Sequence, residues 1–227
     1  MRNVILDLCG GTGSWALPYK NAGYDVKTIT LPDYDVTQTE IGEQHQTLLF
    51  TGNTGEMMTV YMEDVCGILA APPCTEFSMV RNHNIGHDFD SALVIVNACL
   101  DIIKATKPIF WALENPIGHL SKFLGAPKFS FQPYEFGDGW TKKTNIWGEF
   151  NKPVKKFTWD TCPKIPELYV RPSRGKPSMA CLHKSAQSKI PQLRNFQVDN
   201  DASFRAITPP AFAQAFFDVN NPIIYYN

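Results

Sequence analysis

The stretch from residue 3 to residue 31, NVILDLCGGTGSWALPYKNAGYDVKTITL, decides the fold. Its apolar start, residues 3–9, predicts a buried strand that runs into a glycine turn at residues 10–13. A helix should follow as far as about Ala22, and residues 25–31 predict a second strand. A strand, a helix and a strand in succession favour a parallel sheet, so we expect an α/β fold.

The rest of the chain continues this alternation of strands and helices. Apolar residues recur at helical spacing from Phe89 to about Thr106, and Asp88 is suited to cap that helix. Residues 38–60 show no clear pattern and are interpreted as a variable insertion. We predict further strands at residues 66–71, 109–113, 129–134 and 144–150, the last two as a hairpin, and a final helix that begins at Pro209.

The composition excludes several classes of protein. The chain has 227 residues, of which 44% are apolar and 19% charged, and this excludes disordered, collagen-like and coiled-coil chains. The longest apolar stretch, residues 92–103, contains Asn97 and Asp101 and is too short to span a bilayer. The first apolar run is too short for a signal peptide, so we expect a soluble, cytoplasmic protein with no membrane partner.

The cysteines indicate free thiols. Six of them, at positions 9, 66, 74, 99, 162 and 181, form no Cys-x-x-Cys pair. Cys162, Cys181 and His183 are an alternative zinc site, but their spacing fits no familiar ligand pattern, and we expect no metal.

The net charge of −1 hides an asymmetry along the chain. Residues 1–140 carry 8 Lys and Arg against 16 Asp and Glu, whereas residues 141–205 carry 13 against 5. A basic segment on an acidic body is typical of a face that binds a polyanion, and a solvated basic surface explains the same pattern equally well.

Three features carry chemistry, and each follows a predicted strand. The glycine turn can bring a ligand close to the backbone and to a helix N-terminus, or it is simply a tight turn. Cys74 follows two prolines that stiffen its loop, although a lone cysteine is most often a buried structural residue. Glu114 ends another strand, where a lone carboxylate is usually an ordinary charge. Because parallel strands end at one edge, their convergence predicts an active site there.

These residues resemble the motifs of the cytosine-C5 DNA methyltransferase family, especially its small phage members. Asp7-Leu8-Cys9-Gly10-Gly11-Thr12-Gly13-Ser14 resembles Asp-Leu-Phe-x-Gly-x-Gly-Gly, Pro73-Cys74-Thr75-Glu76-Phe77-Ser78 resembles Pro-Cys-Gln-x-Phe-Ser, and Glu114-Asn115-Pro116 resembles Glu-Asn-Val. Residues 136–143 lie where the family has Gln-x-Arg-x-Arg, and Lys142 and Lys143 keep its charge without the forked geometry of arginine. The resemblance covers the chain except residues 38–60 and most of 151–204.

The resemblance implies the class I methyltransferase fold, a Rossmann-like and mostly parallel sheet with helices on both faces, plus a small irregular recognition region. Residues 1–150 and 205–227 would form the catalytic, cofactor-binding domain, and residues 151–204 the basic target-recognition region. It also implies S-adenosylmethionine as cofactor, double-stranded DNA as partner and a target base flipped out of the duplex. A monomer is favoured.

The resemblance also implies roles for individual residues. Cys74 would be the nucleophile that adds to carbon 6 of cytosine, and Glu114 the acid that contacts ring nitrogen 3. The implied cofactor-binding residues are Asp7, Cys9, Gly11, Thr12, Gly13, Trp15, Asp35 and Pro72. The implied nucleic-acid-binding residues are Ser78, Arg81, Lys142 and Lys143.

Several alternatives remain open on the sequence alone. The acid that holds the cofactor's ribose is Asp33, Asp35 or Asp64, and Trp15 is equally well a cofactor contact or a core residue. The same chemistry could act on RNA or use a modified donor. A non-catalytic nucleic-acid-binding relative is a further alternative, against which the intact Cys74 and Glu114 argue.

Overall fold

The computed structural model describes residues 2–79 and 86–222. In chain order its strands and α-helices are β1 (Val4–Leu8), α1 (Leu17–Asn21), β2 (Asp25–Ile29), β3 (Glu40–Gly42), β4 (Thr47–Thr51), β5 (Met57–Tyr61), β6 (Val65–Ala70), α2 (Phe89–Thr106), β7 (Phe110–Pro116), α3 (Ser121–Leu124), β8 (Phe129–Phe131), β9 (Thr144–Glu149), α4 (Asp201–Ala206) and α5 (Pro210–Asn220).

Six strands form the main sheet, in the spatial order β2-β1-β6-β7-β9-β8. β1 pairs in parallel with β2 and with β6, and β6 pairs in parallel with β7. The hairpin β8–β9 completes the sheet, with β9 antiparallel to both β7 and β8. The predicted α/β fold with a mostly parallel sheet is thus confirmed, and β1, β2, β6 and β7 all end at one edge.

Helices cover both faces of this sheet. Neighbouring residues of β1 point to opposite faces, so Ile5 packs in the same cluster as Tyr19 of α1 and Phe212 of α5. Leu6 belongs to the other cluster, together with Cys99 of α2. The side chains of both β1 residues are fully buried.

Hydrogen bonds tie the last helix to distant parts of the chain. Ser14, just after the glycine turn, donates from its buried hydroxyl to the carbonyl of Thr208 at 2.6 Å. The side chain of Asn220 accepts from the backbone N–H of Asn151 at 2.7 Å and donates to its carbonyl at 2.9 Å. Helix α5 is therefore part of the domain that β1 opens.

Residues 38–60, interpreted from the sequence as a variable insertion, include a regular antiparallel sheet with the order β3-β4-β5. Leu48, Phe50 and Val60 point inwards from it and join the cluster beneath α2. The strands have only three to five residues each, so their alternation of buried and exposed side chains is too short to stand out in the sequence.

Residues 151–204 contain several short 3₁₀ helices and the start of α4. They build a third apolar cluster, which includes Leu182, Phe204 and, from outside this range, Trp140. Phe196 packs against the cluster, whereas Tyr169 is exposed. Across residues 2–79 and 86–222, no helix is both long and apolar enough to cross a membrane.

Candidate active site

The glycine turn is shaped by backbone conformations that suit glycine. Gly11 and Gly13 have φ angles of +53° and +68°, and a side chain at either would be strained. The N–H of Gly11 donates to the hydroxyl of Thr30 at 3.3 Å, which fixes the turn to the end of β2. A cavity of about 230 Å³ borders the turn and is lined by residues 11–13 together with Thr28 and Phe196, among others.

Asp7 lies beneath this turn in an unusual environment. Its side chain is buried, and neither carboxylate oxygen has a hydrogen-bond partner among the described residues. Burial alone raises the pKa of Asp7 to about 7. Gly10 leaves room for this carboxylate, because a Cβ at Gly10 would lie 2.1 Å from its Oδ2. Asp7 is thus a buried acid that a donor group of a ligand could satisfy.

The other expected cofactor residues have different surroundings. Trp15 is 2% exposed and its ring contacts those of Phe212 and Phe216, so the structure places it in the core. Cys9 is half-buried and has a φ of +57°. Pro72 is buried at the end of β6.

The three carboxylate residues that could bind the cofactor's ribose lie at different places in the fold. The carbonyl of Asp64 accepts from the N–H of Asn3 at 3.1 Å, so Asp64 lies where β1 and β6 begin, at the sheet edge opposite the glycine turn. Asp35 caps a 3₁₀ helix, accepting from the N–H of Thr37 at 2.9 Å. Asp33 and Asp35 remain candidates, and Asp64 does not.

Cys74 and Glu114 meet at the carboxyl edge of the sheet. Cys74 is half-buried in a turn in which its carbonyl accepts from the N–H groups of Phe77 and Ser78 at 3.1 and 2.8 Å. Burial raises the pKa of the Cys74 thiol, Lys142 lowers it and Glu114 raises it further. Glu114 is 7% exposed, and burial raises its pKa against the opposing effect of Lys142. The three side chains therefore form one electrostatic unit.

Backbone contacts hold the Cys74 loop against the end of β7. The amide of Asn115 donates to the carbonyl of Pro72 at 3.1 Å, and the N–H of His119 donates to the carbonyl of Phe77 at 2.7 Å. Gly118 is required at this junction, because a Cβ there would lie 2.0 Å from the Phe77 oxygen. Asn115 lay inside the recognised Glu-Asn motif, but the sequence did not show that its amide anchors the thiol's loop.

The two lysines expected to bind nucleic acid occupy different environments. Lys142 is half-buried, with its N–H donating to Oε1 of Gln132 at 3.0 Å, and its charge acts on Cys74 and Glu114. Lys143 is exposed, and its carbonyl accepts from the N–H of Ile117 at 2.9 Å. The structure thus brings Lys142 to the thiol and the carboxyl group, which the sequence did not predict.

The remaining expected residues are Ser78, Arg81 and the alternative zinc ligands. Ser78 is half-buried and bridges to Gly118, and Arg81 lies outside the described residues. Two of the three alternative zinc ligands are engaged elsewhere: Cys162 donates to the carbonyl of Trp159, and Nδ1 of His183 lies 2.9 Å from the carboxylate of Asp201. In the described part of the chain, no three His, Cys, Asp or Glu side chains are placed to hold a metal ion.

Comparison with known proteins adds to this geometry. No protein-family model matches the chain. The Type II methyltransferase M.DdeI of Desulfomicrobium norvegicum is 27% identical to it over 121 residues, or 52% of this chain and 28% of that protein. The chain is thus similar to a Type II methyltransferase over about half of its length.

The matched regions cover only part of each of the similar proteins. The chain spans little more than a quarter of M.DdeI. A solved structure of a DNA modification methyltransferase encoded within an E. coli prophage superposes with a TM-score of 0.45 and 15% identity. That superposition covers 71% of this chain and 52% of the other.

Proposed function

We propose that this methyltransferase relative transfers a methyl group from S-adenosylmethionine to carbon 5 of cytosine in double-stranded DNA. The observation that carries the proposal is the unit of Cys74, Glu114 and Lys142 at the carboxyl edge of the sheet. A pure binding module needs neither a thiol nor a buried acid at this edge. The protein would act in the cytoplasm of a bacterial or phage-infected cell.

The residues at the glycine turn fit the proposed cofactor. The buried carboxylate of Asp7 has no partner in the described chain and would be satisfied by an N–H donor of the ligand. The cavity beside residues 11–13 is smaller than the roughly 300–1,000 Å³ of complete ligand pockets, so it would hold a part of the molecule. Asp33 or Asp35 would bind the ribose. The cofactor would supply an electrophilic methyl group on sulfur.

Each side chain of the unit then has a task. The Cys74 thiol first loses its proton to solvent; its sulfur then adds as thiolate to carbon 6 of the cytosine, and Lys142 stabilises the thiolate charge. Glu114, which burial keeps protonated to a higher pH than an ordinary glutamate, donates its proton towards ring nitrogen 3. Carbon 5 becomes nucleophilic and takes the methyl group. Loss of the carbon 5 proton to water or a base then expels the Cys74 thiolate, and ring nitrogen 3 returns its proton to Glu114, which restores the ring.

The substrate must reach this edge as a base turned out of its duplex. Residues 151–204, with a surplus of lysine and arginine, would bind the phosphates as a target-recognition region, together with Lys143. In this proposal the protein acts on one duplex as a monomer.

The decisive experiment is transfer of label from radiolabelled S-adenosylmethionine to duplex DNA, followed by mass spectrometry of the nucleosides. We expect 5-methylcytosine with the wild-type protein and none with Cys74→Ser, which should still bind the cofactor. Cys66→Ser is a matched control, since Cys66 lies near the start of β6, opposite the carboxyl edge, where its thiol donates to the carbonyl of Val4. A fully active Cys74→Ser variant would refute the mechanism. Label found in RNA but not in DNA would refute DNA as the substrate.

A further inference from the structure

A cluster of two aromatic rings and two lysines lies beside the catalytic edge. This ring–lysine cluster consists of Tyr134, Trp159, Lys164 and Lys176. The ammonium group of Lys164 lies 4.3 Å from the centre of the indole ring, and that of Lys176 lies 5.2 Å from the centres of both rings. The rings themselves meet edge to face, 5.6 Å apart. Two positive charges are therefore held over one indole.

Neither lysine has a carboxylate partner in the described chain. The ammonium group of Lys164 donates to the carbonyl groups of Trp159 and Cys162 and to the sulfur of Cys162. The nearby Lys155 does have a carboxylate partner, because it forms a salt bridge with Glu135 at 3.0 Å. Contacts between a cation and a ring are weak and leave the charge in place. The cluster thus holds two ammonium groups whose positive charge no acid balances.

The backbone connects this cluster to the proposed active site. Lys176 precedes Pro177, whose carbonyl accepts from both the N–H and the hydroxyl of Thr141 at 2.9 Å. Thr141 in turn precedes Lys142, whose charge acts on Cys74. A polyanion bound at Lys176 would therefore lie next to the edge at which the thiol is presented.

We propose that Lys164 and Lys176 form a clamp for a backbone phosphate of the DNA duplex whose base enters the site. The proposal rests on the proposed function for the identity of the polyanion. The rings hold the ammonium groups in place before the phosphate arrives, so binding costs less side-chain entropy. Contacts to phosphate fix the position of the duplex and carry no sequence information, so the clamp would act on any target.

The test is the salt dependence of binding, measured without a methyl donor. Fluorescence anisotropy of a short labelled duplex of mixed sequence gives the affinity across a range of KCl concentrations. Losing the contact to one phosphate should reduce the slope of log affinity against log salt by about 0.9. Because the two lysines share one phosphate, we expect a partial reduction for Lys176→Gln and the full reduction for the double variant with Lys164→Gln. Lys104→Gln, which changes an exposed lysine of α2, should keep the wild-type slope.

The outcomes separate this proposal from the proposed function. A slope for Lys176→Gln equal to that of Lys104→Gln would overturn the clamp, whether or not the protein methylates DNA. A protein with the expected slopes that yields no 5-methylcytosine would overturn the function and keep the clamp. Tighter binding of an RNA duplex of the same sequence would overturn the assignment to DNA. Trp159→Leu, which removes the shared ring, should weaken binding, with thermal unfolding to check that the variant is folded.

Discussion

Replacing Asp7 by asparagine should alter how stability depends on pH. The folded-state pKa of Asp7 is about 7 because of burial, against about 3.9 in an unfolded chain. The folded carboxyl group therefore holds its proton more tightly, and the free energy of unfolding falls as pH rises from about 4 to about 7. At ~1.4 kcal/mol per pKa unit, this loss is about 1.5 kcal/mol at pH 5 and about 4 kcal/mol at pH 8.

The Asp7→Asn variant does not titrate at this position, so its stability should fall by about 2.5 kcal/mol less between pH 5 and pH 8 than that of the wild type. The cost of burying the amide is the same at both pH values and cancels. Asp138, whose pKa is also raised to about 7 by burial, acts equally in both proteins.

Urea unfolding followed by tryptophan fluorescence at pH 5 and pH 8 measures the difference. Asp25→Asn is the matched control, because Asp25 is exposed and paired with Lys27 at 2.9 Å. If the stability of Asp7→Asn falls as much as that of the wild type between the two pH values, the Asp7 carboxyl is not a buried, unpartnered acid.

Two further predictions concern the proposed catalytic unit. Glu114→Gln should slow methyl transfer by about 10²–10⁴-fold, because the amide cannot donate the carboxyl proton. The control variant Glu135→Gln should keep a single-turnover rate near the wild-type value. Similar rates for the two variants would show that Glu114 takes no part in the chemistry. Lys142→Met should raise the pKa of the Cys74 thiol, so that iodoacetamide alkylates Cys74 more slowly at pH 8, as measured by mass spectrometry of the Cys74 peptide. In the control variant Lys143→Met, Cys74 should be alkylated at the wild-type rate. An unchanged rate in Lys142→Met would contradict the electrostatic unit.

The elements that the sequence predicted well are those with strong local signals. Helix α2 runs from Phe89 to Thr106 with Asp88 as N-cap, as predicted, because the capping side chain and the apolar spacing lie within the helix itself. The strands that carry Asp7 and Glu114, and the strand that precedes Cys74, were visible as apolar runs ended by glycine or proline. Their convergence followed from the parallel order of the sheet.

The features that were missed depend on contacts between distant segments. The sequence did not predict the effect of Lys142 on Glu114, because Lys142 lies just before β9 and only the pairing of β9 with β7 brings that segment close to Glu114. Trp15 could not be assigned from the sequence, because its partners Phe212 and Phe216 come almost two hundred residues later. Asp64 was a candidate until the register of β1 and β6 placed it at the opposite edge.

The bonds of Thr208 to Ser14 and of α5 to Asn151 have a consequence for synthesis on the ribosome. The face of the sheet that α5 covers, through Phe212 and Phe216, stays open until residues 210–220 have left the exit tunnel. All of the basic segment must be translated before that happens. Contacts of such long sequence separation form late and slowly, so the half-made chain exposes an apolar surface that chaperones would recognise.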